Sequence, residues 1–140
     1  MELQVKQVPY GVADFAMVIE QNLYYVDKTM FIPELEKQPR NLFFIRPRRF
    51  GKSIFLSMLY SYYDCAQSHK FQSLFGNLWI GQHPTPLQGK YQVLFLDFSQ
   101  ITGNIDKLET KFNSYLSINL DAFVRQYSEY YQAEMEEILA

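Results

Sequence analysis

Cysteine is almost missing from this chain. Cys65 stands alone among 140 residues, so no internal disulfide can form. Long apolar runs are missing too. The longest, such as Leu42-Phe43-Phe44-Ile45, last only a few residues, against the roughly 20 that a membrane helix requires. The opening residues Met1-Glu2-Leu3-Gln4-Val5-Lys6-Gln7 contain no basic stretch followed by an apolar one, so no signal peptide is predicted. A strong charge of one sign is also lacking. The net charge is -2, which excludes bulk electrostatic adhesion to DNA or to a membrane surface. These absences predict a cytoplasmic protein with no membrane partner.

Apolar and aromatic side chains are plentiful. Hydrophobic residues make up 48% of the chain, with twelve Phe, eleven Tyr and one Trp. That is enough to build a core and argues against disorder. The charge is unevenly placed. Residues 1–70 hold nine Lys/Arg against seven Asp/Glu, whereas residues 71–140 hold four against eight. Five of the thirteen cationic residues lie between Arg40 and Lys52, which makes a focused positive site rather than a basic surface.

Local patterns predict a series of elements. Val8-Pro9-Tyr10-Gly11 reads as a turn. A short helix is expected over 13–21 with Asp14 near its start. Asp27 reads as an N-cap for a helix reaching about Lys37, with Phe31, Ile32 and Leu35 as its apolar stripe. After Pro39-Arg40-Asn41, residues 42–45 read as a strand buried on both faces of a parallel sheet. A helix follows from Lys52 to about Ala66, with Phe55, Met58, Leu59, Tyr62 and Tyr63 on one face. Residues 71–75 suggest a helical turn, and Trp79 and Ile80 suggest anchors for a connection rich in Gly and Pro. Residues 93–97 read as a second strand. A long helix is expected over 105–138, from the stripe Leu108, Phe112, Leu116, Leu120, Phe123, Tyr127 and Tyr131.

The chemistry concentrates in Arg46-Pro47-Arg48-Arg49-Phe50-Gly51-Lys52-Ser53. Apolar strand, tight loop, Gly-Lys-Ser and amphipathic helix form the order of a phosphate-binding loop. Gly51 lets backbone approach an anion without a Cβ in the way. A helix starting at Lys52 points its free N–H groups and positive dipole end at that anion. Lys52 would reach the β and γ phosphates of ATP, and Ser53 would offer its hydroxyl to Mg²⁺. The usual pattern begins with glycine where Arg46 stands. The proline that follows favours an extended backbone there, and the Arg46 side chain is expected to point away from the nucleotide. Arg48 and Arg49 are expected to fan outward. A second reading remains open: a non-enzymatic module whose arginine-rich loop binds nucleic-acid phosphate or an acidic partner.

Several blocks together resemble a known family. They are Pro9-Tyr10-Gly11 with Asp14-Phe15, then Tyr25-Val26-Asp27-Lys28-Thr29, the stretch from Leu42 to Ser53 with arginine at the first loop position, Leu74-Phe75, and Leu94-Phe95-Leu96-Asp97-Phe98-Ser99. In this order they resemble the AAA-ATPase-like family of P-loop proteins. The resemblance implies an α/β fold, present over residues 1–140 as the N-terminal portion of one P-loop domain with an incomplete parallel sheet and a long final helix. It implies ATP and Mg²⁺ as ligands, and a variant Walker A loop at residues 46–53. Relatives carry a Walker B strand and often a nuclease-like domain further on, through which nucleic acid becomes a partner of the parent protein. Neither is visible here, so hydrolysis is not expected of this stretch by itself and no catalytic residue is assigned. Relatives also place the segment around Tyr25 and Val26 near the base.

Other candidates read more plainly. Asp97 at a strand end fits a pairing with Ser99 or a loop N–H better than a metal role. His69 and His83 lie in a connection without paired acids. Cys65 has no histidine placed to activate it.

Overall fold

The computed structural model describes residues 5–131. Two compact units divide after Tyr91.

The first unit is a cluster of short helices around one longer one. Helix α1 spans Phe15–Glu20, and the Asp14 carboxylate caps it by accepting the Met17 N–H at 3.0 Å. A 3₁₀ turn at Thr29–Phe31 runs into α2, Ile32–Glu36, with Pro33 at the helix start, where a missing N–H costs nothing. Helix α3 spans Lys52–Tyr63. A 3₁₀ stretch at Cys65–Lys70 leads to α4, Phe71–Phe75, and then α5, Trp79–Gln82. Helices this short do not persist alone in water, and the apolar face of α3 holds them together. Phe55, Met58 and Tyr62 are buried against Phe15 of α1, Ile32 of α2, Leu74 and Phe75 of α4, and Ile80 of α5. Phe15 stacks on Phe75 with ring centroids 4.9 Å apart, and Tyr62 meets Phe75 edge-on at 5.5 Å. The Ser57 hydroxyl accepts the Phe15 N–H at 3.0 Å, which fixes the start of α1 on α3.

Polar links close this unit. Glu36 Oε1 accepts the Tyr63 hydroxyl at 2.9 Å and the Thr85 hydroxyl at 2.7 Å, and the Thr85 N–H donates to the Tyr62 hydroxyl at 2.9 Å. Burial raises the Tyr63 pKa above its ordinary value, and the bond to Glu36 adds to that. An isolated parallel bridge joins Asp64 to Tyr91, through the Cys65 N–H to the Tyr91 carbonyl at 2.8 Å and the Tyr91 N–H to the Tyr63 carbonyl at 2.9 Å.

In the second unit an irregular segment and a 3₁₀ turn at Phe98–Gln100 precede α6, Ile105–Gln126. Tyrosine hydroxyls of this unit take up backbone donors. The Asp97 N–H donates to the Tyr115 hydroxyl at 2.7 Å, and the Val93 N–H to the Tyr127 hydroxyl at 3.2 Å. The Phe98 ring packs on Phe112 with centroids 5.7 Å apart.

This architecture corrects the expected α/β fold. Among the described residues there is no β-strand and no sheet, so neither the parallel sheet nor the strands at 42–45 and 93–97 are formed. A strand holds only when its N–H and C=O groups find a neighbouring strand, and these two segments meet other partners. Phe44 stacks on Phe55 at 5.0 Å, while Phe43 and Ile45 are 93% and 86% exposed. Over 93–97 two backbone donors go to tyrosine hydroxyls instead of a ladder. The helix expected over 52–66 ends at Tyr63, because Asp64 turns to an extended backbone and caps the following 3₁₀ stretch at Ala66. The helix expected over 105–138 is present to Gln126 and breaks at Tyr127. Its last expected residues, 132–138, and Glu134, Glu136 and Glu137, lie outside the described residues.

Candidate functional site

The loop at 46–53 stands at the start of α3. Arg46, Pro47, Arg48, Arg49 and Phe50 are exposed, Gly51 and Lys52 are half-buried, and Ser53 is exposed. Two residues take left-handed backbone, Arg49 at φ 65° and Gly51 at φ 78°. That conformation costs a residue with a Cβ roughly 1–2 kcal/mol and glycine almost nothing, so Gly51 is well suited to the sharper entry into the helix. Its carbonyl accepts the Phe55 N–H at 3.0 Å, the first bond of α3. No side chain caps this end among the described residues. The first-turn N–H groups, at Lys52, Ser53 and Ile54, therefore face the loop with the dipole of a twelve-residue helix behind them.

The Arg46 guanidinium lies over the Phe44 ring, 5.7 Å from its centroid. Arg48 and Arg49 are exposed in the turn. The eight loop residues thus divide. Gly51, Lys52 and Ser53 come together at the helix start, while Arg46 is drawn back onto the preceding segment.

A cavity of about 240 Å³ opens beside Gly51. It is lined by Val8, Pro9, Tyr24, Tyr25, Val26, Lys28, Gly51, Ile54 and Phe55. The Tyr24 N–H donates to the Gln7 carbonyl at 2.8 Å, which holds the Val8-Pro9 stretch against the Tyr24-Tyr25-Val26 stretch. The Tyr25 ring packs edge-on against Phe15 at 5.2 Å. Burial, and next the neighbouring Asp27 carboxylate, push its hydroxyl up to about 12, with the Lys28 backbone N–H acting in the opposite sense.

Asp27 is not the expected N-cap: Lys28 precedes the 3₁₀ turn and Phe31 precedes α2, neither with a side-chain cap, and the Asp27 carboxylate has other partners. Its Oδ1 accepts the Thr29 N–H at 2.9 Å and the Thr29 hydroxyl at 2.7 Å. Its Oδ2 accepts the Trp79 N–H at 2.7 Å, at the first residue of α5. The Thr29 hydroxyl in turn accepts the Ile80 N–H at 3.1 Å, and Thr29 is fully buried. One carboxylate and one hydroxyl therefore clamp the 25–29 segment to a helix start fifty residues later in the sequence. The Asp27-x-Thr29 spacing signals the local turn. Nothing local signals Trp79.

The remaining candidates have ordinary partners. Asp97 Oδ1 accepts the Ser99 hydroxyl at 2.6 Å and the Ser99 N–H at 3.0 Å, and these bonds lower its pKa. His83 stacks on Trp79 at 4.5 Å, and its Nδ1 lies 3.0 Å from the Trp79 carbonyl oxygen. No group of three or more metal-binding side chains occurs among the described residues, and no described helix is long and apolar enough to cross a membrane.

Fold and site together define a helical chain with a basic loop leading into an uncapped helix, beside a small apolar cavity. The chain belongs to the AAA-ATPase-like family, described as a predicted AAA-ATPase, whose model matches residues 9–140. That description suggests nucleotide use for the family in general terms. An Azotobacter chroococcum mcd 1 protein, described as an uncharacterized protein in the vnfD 5' region, is 49% identical over 55 residues. The matched stretch covers 39% of this chain and 11% of that protein. No solved structure matches.

Proposed function

We propose that the chain binds ATP, with its phosphates at the 46–53 loop and its base in the cavity lined by Tyr24, Tyr25 and Val26. One observation carries the reading: Gly51 turns the chain with left-handed backbone into an uncapped α3 whose first two residues are Lys52 and Ser53. Backbone donors, helix dipole and an ammonium then converge on one anion. The apolar walls beside Gly51 suit a flat heteroaromatic ring. Mg²⁺ fits here only together with the nucleotide, since a single neutral hydroxyl at Ser53 is too weak a donor set for this cation and phosphate oxygens must supply the rest. Hydrolysis coupled to a conformational change belongs to this proposal at the level of the whole protein.

Titration calorimetry with Mg-ATP tests the reading. Lys52→Ala is expected to weaken binding by at least about 1.5–3 kcal/mol, the scale of a charge-assisted hydrogen bond, and to leave the fold intact because Lys52 opens α3 and is no part of the buried cluster. Equal affinity of the two proteins for Mg-ATP sinks the proposal. The exposure of Arg48 and Arg49 favours a second reading, in which the loop grips nucleic-acid phosphate or an acidic partner. Binding of that kind to a nucleic acid falls steeply with salt over many contacts, whereas a single nucleotide site follows Mg²⁺ and Lys52. Replacing both arginines with glutamine is expected to leave Mg-ATP affinity within about tenfold, since neither converges on the anion that Lys52 faces.

A further inference from the structure

The loop's own lysine is not the only ammonium placed beside Gly51. A Cβ built on Gly51 would lie 3.8 Å from Nζ of Lys28, so this amine stands beside the glycine, in van der Waals reach of where a side chain would begin. Lys28 comes from a different segment, and its placement is enforced from both flanks. On one side Asp27 is held by the Trp79 N–H, and on the other the buried Thr29 is held by the Ile80 N–H. Both carboxylate oxygens of Asp27 are taken up by those clamp bonds. Among the described residues no carboxylate lies within ion-pair distance of the Lys28 amine. The cavity that it helps to line is largely apolar, with Val26, Ile54 and Phe55 among its lining residues. A cation whose backbone is held on both sides, beside a largely apolar cavity and with no carboxylate in ion-pair range among the described residues, is placed to meet an anionic ligand.

We infer that Lys28 is a second phosphate-binding residue of the site, one that contacts the phosphates where they leave the base cavity and so distinguishes nucleotides from nucleosides. The inference rests on the proposed nucleotide reading and adds a residue outside the loop. A compact ammonium with three rotatable donors can serve a phosphate oxygen without a fixed fork geometry. Its position between cavity and loop puts it at the junction of base and phosphate chain. Asp27 and Thr29 then act as positioning residues, because they hold the backbone on either side of Lys28.

Calorimetry on the full chain separates this inference from the reading beneath it. Wild type, Lys28→Gln, Lys28→Arg and Lys52→Ala are titrated with Mg-ATP and with adenosine. Lys28→Gln is expected to weaken Mg-ATP by about tenfold or more, the scale of one charged hydrogen bond, with adenosine affinity unchanged. Lys28→Arg is expected to stay much closer to wild type. If Lys28→Gln binds Mg-ATP as wild type does while Lys52→Ala does not, the loop reading stands and the role of Lys28 is overturned. An equal loss of adenosine and Mg-ATP in Lys28→Gln overturns it too, as the mark of a merely structural side chain. Should adenosine bind too weakly to measure, the melting temperature without ligand decides: an unchanged value supports the inference, and a drop of several degrees overturns it. A wild type that binds no Mg-ATP at all overturns both.

Discussion

Helices α3 and α6 carry equally legible apolar stripes, yet they end in different surroundings. The twelve residues of α3 bury Phe55, Met58, Ser61 and Tyr62, whereas none of the twenty-two residues of α6 is fully buried. Phe112 of α6 is packed by Phe98 on one side and remains 37% exposed. A stripe at helical spacing therefore tells where a helix will form and which face is apolar. What covers that face depends on elements elsewhere in the chain. For α3 those are α1, α2, α4 and α5, each too short to stand alone. For α6 they include an irregular segment tied on by tyrosine hydroxyls.

The sharpest way to break this contrast is to truncate one side chain on each helix. Met58→Ala removes a fully buried side chain from a close-packed cluster and is expected to cost about 2–5 kcal/mol. Phe112→Ala removes a ring that water already reaches, and the loss should stay below about 1.5 kcal/mol, most of it the ring contact with Phe98. Urea denaturation followed by far-UV circular dichroism reads both. Comparable losses would mean that α6 is covered in solution as completely as α3.

A smaller effect is expected at the clamp that joins the start of the first unit to α5. Asp27→Ala leaves the Thr29 N–H, the Thr29 hydroxyl and the Trp79 N–H without their shared acceptor. The predicted cost is about 1–3 kcal/mol, tempered because water can reach part of the site. Trp79 is the single tryptophan, so its fluorescence should report the loosening directly. An unchanged spectrum together with unchanged stability would show that the clamp carries no weight.

Local signals were legible and distant ones were not. The short helix starting near Asp14, the start of α3 at Lys52 and the apolar faces of both long helices follow from residues within one or two turns of each other. The two expected strands failed for the opposite reason. Leu42-Phe43-Phe44-Ile45 has strand composition, but a strand is made by its neighbour, and apolar composition does not name one. At the candidate site, the order Gly51-Lys52-Ser53 before an amphipathic stretch located the loop. The cavity beside it needed Val8 and Pro9, some forty residues upstream, to come into the same lining as Gly51. The role of Asp27 as an acceptor for Trp79, and with it the mounting of Lys28, rests on a contact between residues 52 apart.

The mildest test of the contrast is a titration of Tyr25, which belongs to the packed side and lines the proposed base cavity. Burial comes first and the Asp27 carboxylate second in raising its pKa from 10.0 to about 12. Both disfavour the phenolate, so the folded protein holds the Tyr25 proton more tightly than the unfolded chain does. A group whose folded pKa is raised contributes stability that is present in full below the unfolded value and is lost as pH rises through the folded one. The window is therefore about pH 10 to 12, and the sign is a loss of stability on the alkaline side. Tyr25→Phe keeps the ring against Phe15 and removes the proton. Its stability relative to wild type should stay constant from neutral pH to about 9.5, then rise in favour of the phenylalanine variant across the window. Denaturant melts at half-unit pH steps measure that difference, and the many other tyrosines cancel because both proteins share them. A difference that stays flat to pH 12 would place the Tyr25 hydroxyl in water, and the cavity wall that it forms would then be open to solvent rather than closed around a base.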